Sequence, residues 1–395
     1  MKIAYLVHDL SDAAVAKRVW MLRNAGAEVR LAGFRRTAEP PAAVAGVQPL
    51  DLGRTRDARL VSRVGSVLRA LARSPFLGGL FAGADVVLAR NLEVYGVAAL
   101  ARALHAPRAR LAYECLDVHR LMLGRGLVGR SLRALESRLV DRSQALIVSS
   151  PAFLSEYFEP FQRLSRREGL TTLVVENKAF PEAAETALPP PDPLSKAPWR
   201  IGWFGMIRCR RSLEFLSDLA RRRPDLVQVE IRGKPSYTEF DDFDRLTAET
   251  PGLSFGGPYR PEELAALYGA LHFNWSIDYF QDEGNSRWLL PNRLYEGGRS
   301  GVPPIARADS EIGRWLAAHG LGVLLERPED GLEAFLEALT PRAYAALRAR
   351  HAAAPPGLFT VGPEDCARLL AVIGGPDAGA EPRLAPPASP LLRTG

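Results

Sequence analysis

Apolar positions along this chain follow two rhythms. Short runs rich in Val, Ile and Leu recur at "KIAYLV", "EVRLAGF", "DVVLA", "RLAYE", "ALIVS" and "TLVVE". Each is bounded by turn residues and reads as a buried strand. Between most of them the period becomes helical, as in "DAAVAKRVWMLRNAG", which stops at Gly26. A second series begins at residue 199 with "WRIGWFG", "VQVEIRG", "LSFGG", "LHFNWS", "VPPIA" and "LGVLL". Alternation of strand and helix predicts parallel α/β sheets, here two of them.

Between the two series, "PEAAETALPPPDPLSKAP" has no period and many prolines, the mark of a linker. The expected organisation is a first α/β domain over 1–180, a linker over 181–198 and a second α/β domain over 199–358. A helix over 359–374 is expected to return toward the first domain, ahead of a disordered Pro/Ala-rich tail over 375–395. Two such domains are expected to face each other across a cleft. Ligands of open parallel sheets bind beyond the carboxyl ends of the strands, at helix N-termini, so chemistry is sought there.

Composition narrows the class without naming a partner. Of 395 residues, 47% are hydrophobic and 24% charged, as in a soluble globular protein. No run nears eighteen uninterrupted apolar residues, and Asp9 breaks the opening stretch too early for a secretory signal, so a cytoplasmic location is expected. Cys115, Cys209 and Cys366 are widely separated, which argues against a disulfide scaffold and fits a reducing compartment. The six histidines form no metal-ligand spacing, and no Asp-x-Asp cluster stands in a suitable loop, so no metal is expected. Net charge is +6, carried almost wholly by arginine. The arginines are dispersed rather than gathered with stacking aromatics, so no nucleic-acid partner is expected.

The second domain holds the sharpest motifs. Its first strand runs into "GWFGMIRCRRSLEFL", where Gly202 and Gly205 bracket the strand end and Arg208 and Arg210 offer charge to a phosphate. Further on, "NSRWLLPNRLYEGGRSGVPPIA" opens a helix at Pro291, carries Arg293 in its first turn and halts at a glycine pair. Glu296 lies one turn after Asn292, so the two share a face. A carboxylate one turn beyond a phosphate-binding helix start is suited to ribose hydroxyls. A capped surface helix with solvated Arg and Glu is the plainer alternative.

These stretches resemble the donor domain of GT-B glycosyltransferases. "NRLYEGGRSGVPPIA" is similar to that family's nucleotide-sugar motif, and "WRIGWFGMIRCRRSLEFL" to its first strand–loop–helix. "VQVEIRGKPS" resembles its second strand, and "LSFGGPYRPEELAALYGALHFNWS" the segment that follows. The opening "MKIAYLVHDLSDAAVAKRVWMLRNAGAEV" is similar to exopolysaccharide transferases of the succinoglycan type. The resemblance implies two doubly wound Rossmann-like domains and a nucleotide diphosphate sugar, UDP-sugar above others, as co-substrate without further cofactor. It implies that Glu296 holds the ribose, that Arg293 and Arg208 meet the diphosphate, and that Gly205 allows its close approach. Tyr259 falls near the base, Arg232 lies on the second strand, and Asn292 and Leu294 belong to the first helical turn. One departure stands out. Retaining members carry a Glu eight residues before the ribose glutamate, and here that position is Trp288, so an inverting reaction is favoured.

An inverting transferase must take a proton from the acceptor hydroxyl, and a carboxylate or histidine in reach does this. "RLAYECLDVHR" puts Asp117 and His119 just beyond a strand, and "VHDLSD" puts His8, Asp9 and Asp12 beyond the first. Asp117 is the leading candidate because an acidic residue of this loop is the base in some inverting relatives; Asp12 and His119 follow. Helix caps or surface polar groups are the alternative for each.

The acceptor expected is a saccharide, lipid-linked in exopolysaccharide or cell-surface polysaccharide assembly. Residues 54–77 wind into a helix with Leu60, Val64, Val67, Leu68 and Leu71 on one face and Arg56, Arg59, Arg63, Arg69 and Arg73 on the other. Two readings stay open for it: an anionic inner-membrane surface, or packing on the first sheet. Other functions are weighed too. A nucleotide-sugar 2-epimerase shares the architecture but needs a histidine beside the sugar, and His272 sits inside an apolar strand. A dinucleotide oxidoreductase would need a G-x-G-x-x-G turn where "HDLSDAA" stands. A non-enzymatic basic binding protein would need its arginines clustered.

Overall fold

The computed structural model describes residues 1–55, 77–181 and 196–375. The basic segment at 54–77, the linker and the C-terminal tail therefore lie almost wholly outside the described residues.

Contacts divide the chain into two compact units, residues 1–176 with 362 onward, and residues 177–361. In the first, seven strands form one parallel sheet: β1 Lys2–Val7, β2 Glu28–Arg35, β3 Leu50–Arg54, β4 Val86–Arg90, β5 Arg110–Cys115, β6 Ala145–Val148 and β7 Thr171–Val174. Their order is β3-β2-β1-β4-β5-β6-β7, so the direction of winding reverses between β1 and β4. Helices α1 (Ala13–Asn24), α2 (Leu92–His105) and α3 (Leu127–Val140) are among those covering it. Strand interiors are continuously apolar, with Ala4, Tyr5, Leu6, Val86, Val87, Leu146 and Ile147 fully buried, as a sheet covered on both faces requires.

The strand β3 escapes the hydrophobic pattern for a physical reason. It is an edge strand of five residues, none of them fully buried, and its register with β2 slips between Gly33 and Arg35.

The second unit repeats the plan with six parallel strands: β8 Trp199–Ile207, β9 Val227–Pro235, β10 Leu253–Phe255, β11 Phe273–Trp275, β12 Pro304–Arg307 and β13 Val323–Leu325. Their order is β10-β9-β8-β11-β12-β13, with the switch between β8 and β11. Helix α4 (Arg210–Arg222) follows β8, and α5 (Asn292–Arg299) precedes β12. Helices α6 (Glu311–His319), α7 (Pro328–Ala338) and α8 (Pro341–Ala352) complete the cover. One large core, with Trp199, Trp203, Trp275 and Leu216, lies under β8 and β9, and a second, with Leu294, Tyr295 and Trp315, lies under α5.

Helix α9 (Pro363–Gly374) belongs to the first unit and buries Cys366, Leu369, Leu370 and Ile373. It packs on α1, β5 and β7, and Arg110 Nε donates to the Ile373 carbonyl at 3.0 Å. Residues 177–180, expected with the first domain, instead join the second. Asn177 Nδ2 donates to the Leu290 carbonyl (3.2 Å), Ala179 bridges Thr360, and Arg299 Nη1 donates to the Phe180 carbonyl (2.8 Å).

Candidate donor site and acceptor-side residues

In the second unit the expected residues gather at the carboxyl ends of β8 and β11, where the winding reverses. Gly205 sits near the end of β8 at φ +110°, a region that disfavours a side chain. A Cβ there would meet nothing within 4 Å, so the peptide surface is open to a close-approaching ligand. Arg208 follows, half-buried. Its Nη2 lies 3.5 Å from Asp278 Oδ2, and its guanidinium lies 4.9 Å from the centre of the Phe280 ring.

Helix α5 supplies the rest. Pro291 is its N-cap rather than its first turn, and no side chain caps that end, which leaves the positive end of the helix dipole uncovered. The helix does not stop at the glycine pair as the sequence suggested; it runs through to Arg299. Gly297 and Gly298 serve close approach instead. A Cβ on Gly297 would fall 2.7 Å from Asn274 Nδ2, and one on Gly298 would fall 2.2 Å from Phe359 Cε1. Gly297 lets α5 lie close against β11, where Asn274 Nδ2 donates to the Arg293 carbonyl at 2.6 Å, and Gly298 lets it lie close against Phe359.

Three polar atoms around this first turn are buried without a hydrogen-bond partner among the described residues: Arg293 Nε, Asn274 Oδ1 and the Tyr268 hydroxyl. Folded proteins leave few such atoms unpaired, and each costs about 1–3 kcal/mol when it is. Arg293 has no ion pair within 4.0 Å among the described residues. Burial lowers its basicity, with Asp278 opposing the shift. Burial, and then the Glu296 carboxylate, raise the phenols of both Tyr268 and Tyr259, while Arg293 acts against both shifts. Glu296, Arg293, Tyr259 and Tyr268 therefore feel one another's charge. Tyr259 also lies 5.8 Å, ring to ring, from Phe204, whose ring lies tilted 4.8 Å from that of Tyr268.

Other expected donor residues are placed differently. Arg232 lies beside Phe204 in register, but its guanidinium is held by Glu230 (2.8 Å) and the Gly256 carbonyl (2.8 Å). The Leu294 side chain is fully buried in the core under α5, so only its backbone remains to meet a ligand. Asn292 is exposed at the first position of the helix. Arg210, offered with Arg208 as a phosphate partner, is engaged by Asp241 and Asp242 at 2.9 and 3.2 Å. His272 Nδ1 accepts from the Arg200 amide at 2.9 Å, and its ring packs on Trp199 and Tyr344. That is a structural role, and it removes the histidine the epimerase reading needed. Trp288 is buried.

Sequence reasoning missed Asn274, Tyr268 and Asp278. Asn274 and Tyr268 sit in apolar runs where a buried polar atom is itself the signal, and Asp278 follows β11 by three residues.

In the first unit a buried ionic network underlies the switch point. Glu114 accepts from Tyr5 (2.6 Å), Arg18 (2.5 Å) and Arg90 (2.9 Å). Burial would raise Glu114, yet Arg18 and Arg90 hold it down to about 2. Arg90 also lies 3.6 Å from Asp12 Oδ2. Asp12 is thus an N-cap, accepting from Ala14 N at 2.9 Å, and an ion-pair partner together. His8 lies near it, 3.4 Å from Asn91 Nδ2, its basicity lowered by burial against the pull of Asp12. Asn91 Oδ1 in turn accepts from Leu116 N, tying this cluster to the loop after β5. Asp117 stands exposed on that loop. His119 is the N-cap of a short helix, its Nδ1 accepting from Leu121 N at 3.3 Å, which leaves only Nε2 for chemistry. The charges within "VVLAR" and "RLAYE" were the sequence signal for the network.

Among the described residues no three His, Cys, Asp or Glu side chains gather as a metal-ion cluster, and no helix is long and apolar enough to cross a membrane.

No family model matches the chain. It is 43% identical over 376 residues to "Succinoglycan biosynthesis protein ExoL" of Rhizobium meliloti (strain 1021), covering 94% of this chain and 92% of that protein. Among solved structures, a sucrose-phosphate synthase from Thermosynechococcus elongatus is similar with a TM-score of 0.68 at 15% identity, over 93% and 97% of the two chains. Anabaena HepE in complex with UDP-glucose gives 0.63 at 12% identity, over 93% and 98%. The lipopolysaccharide outer core galactosyltransferase WaaB gives 0.60 at 14%, over 91% and 94%. At these identities the structures speak for the fold, two doubly wound Rossmann-like units. The chain belongs to the family of the succinoglycan biosynthesis protein ExoL, and its fold is that of the GT-B glycosyltransferases.

Proposed function

We propose that this protein is a glycosyltransferase of exopolysaccharide biosynthesis that moves a hexose from a UDP-sugar to a lipid-linked saccharide. The observation that carries the reading is the set of unpaired buried polar atoms around the first turn of α5, beside Arg208 and Glu296. An uncapped helix start with two arginines suits a diphosphate. Glu296, one turn in, suits the ribose hydroxyls, and Tyr259 the base. The likeness to HepE, which was solved with UDP and with UDP-glucose, supports a uridine donor.

In the reaction the acceptor oxygen attacks the anomeric carbon as the bond from that carbon to the diphosphate oxygen breaks. Negative charge grows on the departing UDP, where Arg208, Arg293 and the α5 N-terminus oppose it. These groups bind the transition state more strongly than the ground state and so accelerate the step. The acceptor proton passes to Asp117, with the neutral His8 imidazole beside Asp12 as the alternative base. With Trp288 in place of the second glutamate, inversion without a metal ion is the stereochemistry favoured.

Thermal-shift titration with UDP, GDP and dTDP sugars tests the donor. The expected result is a shift with UDP-sugar that Glu296→Gln reduces and Asp117→Asn leaves intact, while Asp117→Asn abolishes transfer. No shift with any nucleotide would end the donor reading, and transfer retained in Asp117→Asn would move the base elsewhere.

A further inference from the structure

The loop after β5 and the start of α3 carry an exposed surface that the chemistry above does not use. Leu127 is 80% exposed, Val128 60% and Leu135 48%, three of the largest exposed aliphatics in the first unit on one helix. At 100° per residue they fall within roughly 100° of one another around α3, so they form one stripe. Arg138 and Ser131 lie on the same side of the helix.

Charge along the stripe is predominantly basic. From Val118 through Leu135 the sequence holds Arg120, Arg125, Arg130 and Arg133 and no acid. Arg120, Arg125 and Arg130 are exposed, with no ion pair among the described residues. Arg133 is turned back as a brace, its Nη1 bonded to the Met122 and Gly124 carbonyls and its guanidinium 5.0 Å from the Phe161 ring centre. Of the two flanking acids, Asp117 is exposed on the loop before Val118, while Glu136 points inward to Tyr113 (2.9 Å), Tyr157 (2.5 Å) and Gln162 (2.5 Å), so the basic charge outweighs the acidic along this segment.

We propose that the segment from Arg120 to Arg138 docks the first unit on an anionic lipid surface. Leu127 and Val128 project from the first turn and suit insertion at the acyl boundary, while the arginines around them suit the phosphates. A protein partner would more commonly meet aromatic anchors and a mixed-sign rim. Connectivity adds a reason for this place: α3 begins at the carboxyl edge of the first sheet, eight residues after His119 on the same connection as Asp117. A saccharide anchored in that surface would be presented beside the proposed base. The surface differs from the basic segment at 54–77, and lipid binding requires no nucleotide, so the proposal stands or falls apart from the donor reading.

Flotation of the full chain tests it, with vesicles of phosphatidylcholine alone or mixed with phosphatidylglycerol. The wild-type protein is expected to float with the anionic vesicles only. Leu127→Ser with Val128→Ser is expected to lower the partition at least ~10-fold. Arg120→Ser, Arg125→Ser and Arg130→Ser are each expected to lower it about fivefold. An unchanged far-UV circular dichroism spectrum and melting temperature in each variant report that the fold is kept. Unchanged flotation of the Leu127/Val128 variant overturns the proposal, as does loss of flotation only when Arg56, Arg59 and Arg63 are replaced. Light scattering that finds a dimer dissolved by the same two substitutions would overturn it in favour of a contact between copies.

Discussion

Arg293→Met separates stability from binding in one substitution. Arg293 Nε is buried without a hydrogen-bond partner, burial depresses the basicity of the guanidinium, and no carboxylate pairs with it within 4.0 Å among the described residues. Methionine keeps most of the aliphatic stem and removes the unpaired buried donor. An unsatisfied buried polar group costs about 1–3 kcal/mol, so the ligand-free variant is expected to be more stable by about that amount. For a domain of 150–250 residues each kcal/mol shifts Tm by about 2–4 °C, and the melting of the second unit is expected to rise by about 2–12 °C. UDP at one hundred times its Kd is expected to stabilise the wild-type protein by about 2.7 kcal/mol and to do nothing for the variant. Calorimetry with and without UDP measures both. A lower Tm in the variant would refute the claim that electrostatic cost is stored at this arginine, and a persistent UDP shift would refute its role as the anion's partner.

Two further predictions concern the frame around the site. His351 is buried, with Nε2 accepting from the Gly322 amide at 3.0 Å, and burial, then Arg348 and Arg350, lower it to about 4. The unfolded chain binds that proton more readily, so stability is full above the ordinary histidine pKa of about 6.5 and is lost as pH falls from there to about 4. The loss is of order 3 kcal/mol, and urea unfolding at several pH values should show a flatter profile for His351→Gln; equal slopes would reject the assignment. Gly298→Val would drive a side chain into the Phe359 ring, which is buried between Trp315 and His351, and is expected to cost roughly 2–3 kcal/mol. An unchanged melting curve would mean that α5 and the Phe359 ring can move apart to admit the side chain.

The strands were legible because each carries a short apolar run bounded by turn residues, continuously buried in β4, β6 and β11 and alternating in β9. Each of the twelve apolar runs read from the sequence contains a strand, whereas β3, half-exposed at an edge, had no such run to show. The motif around Arg293 and Glu296 was legible as a helix with a charged opening. Its glycines were misread because a close approach to Phe359 and Asn274 depends on partners far away in sequence. The same limit explains Arg232 and Arg210. A lone arginine near a strand end looks alike whether a phosphate or a neighbouring carboxylate will hold it, and only the fold brings Glu230, Asp241 and Asp242 within reach. Leu294 was included by its place in the motif, while the period of α5 turns it to the core.

The return of α9 to the first unit has a consequence for how the protein is made. Its buried residues Cys366, Leu369, Leu370 and Ile373 cover part of α1, β5 and β7, yet they leave the ribosome after the whole second unit. Until residue 374 is translated, that apolar flank of the first unit is bare in the nascent polypeptide. Vectorial synthesis thus cannot finish the first lobe before the second. Helix α9 seals the lobe that was begun first, and a ribosome stalled between Val361 and Gly374 holds a species with its oldest lobe still open.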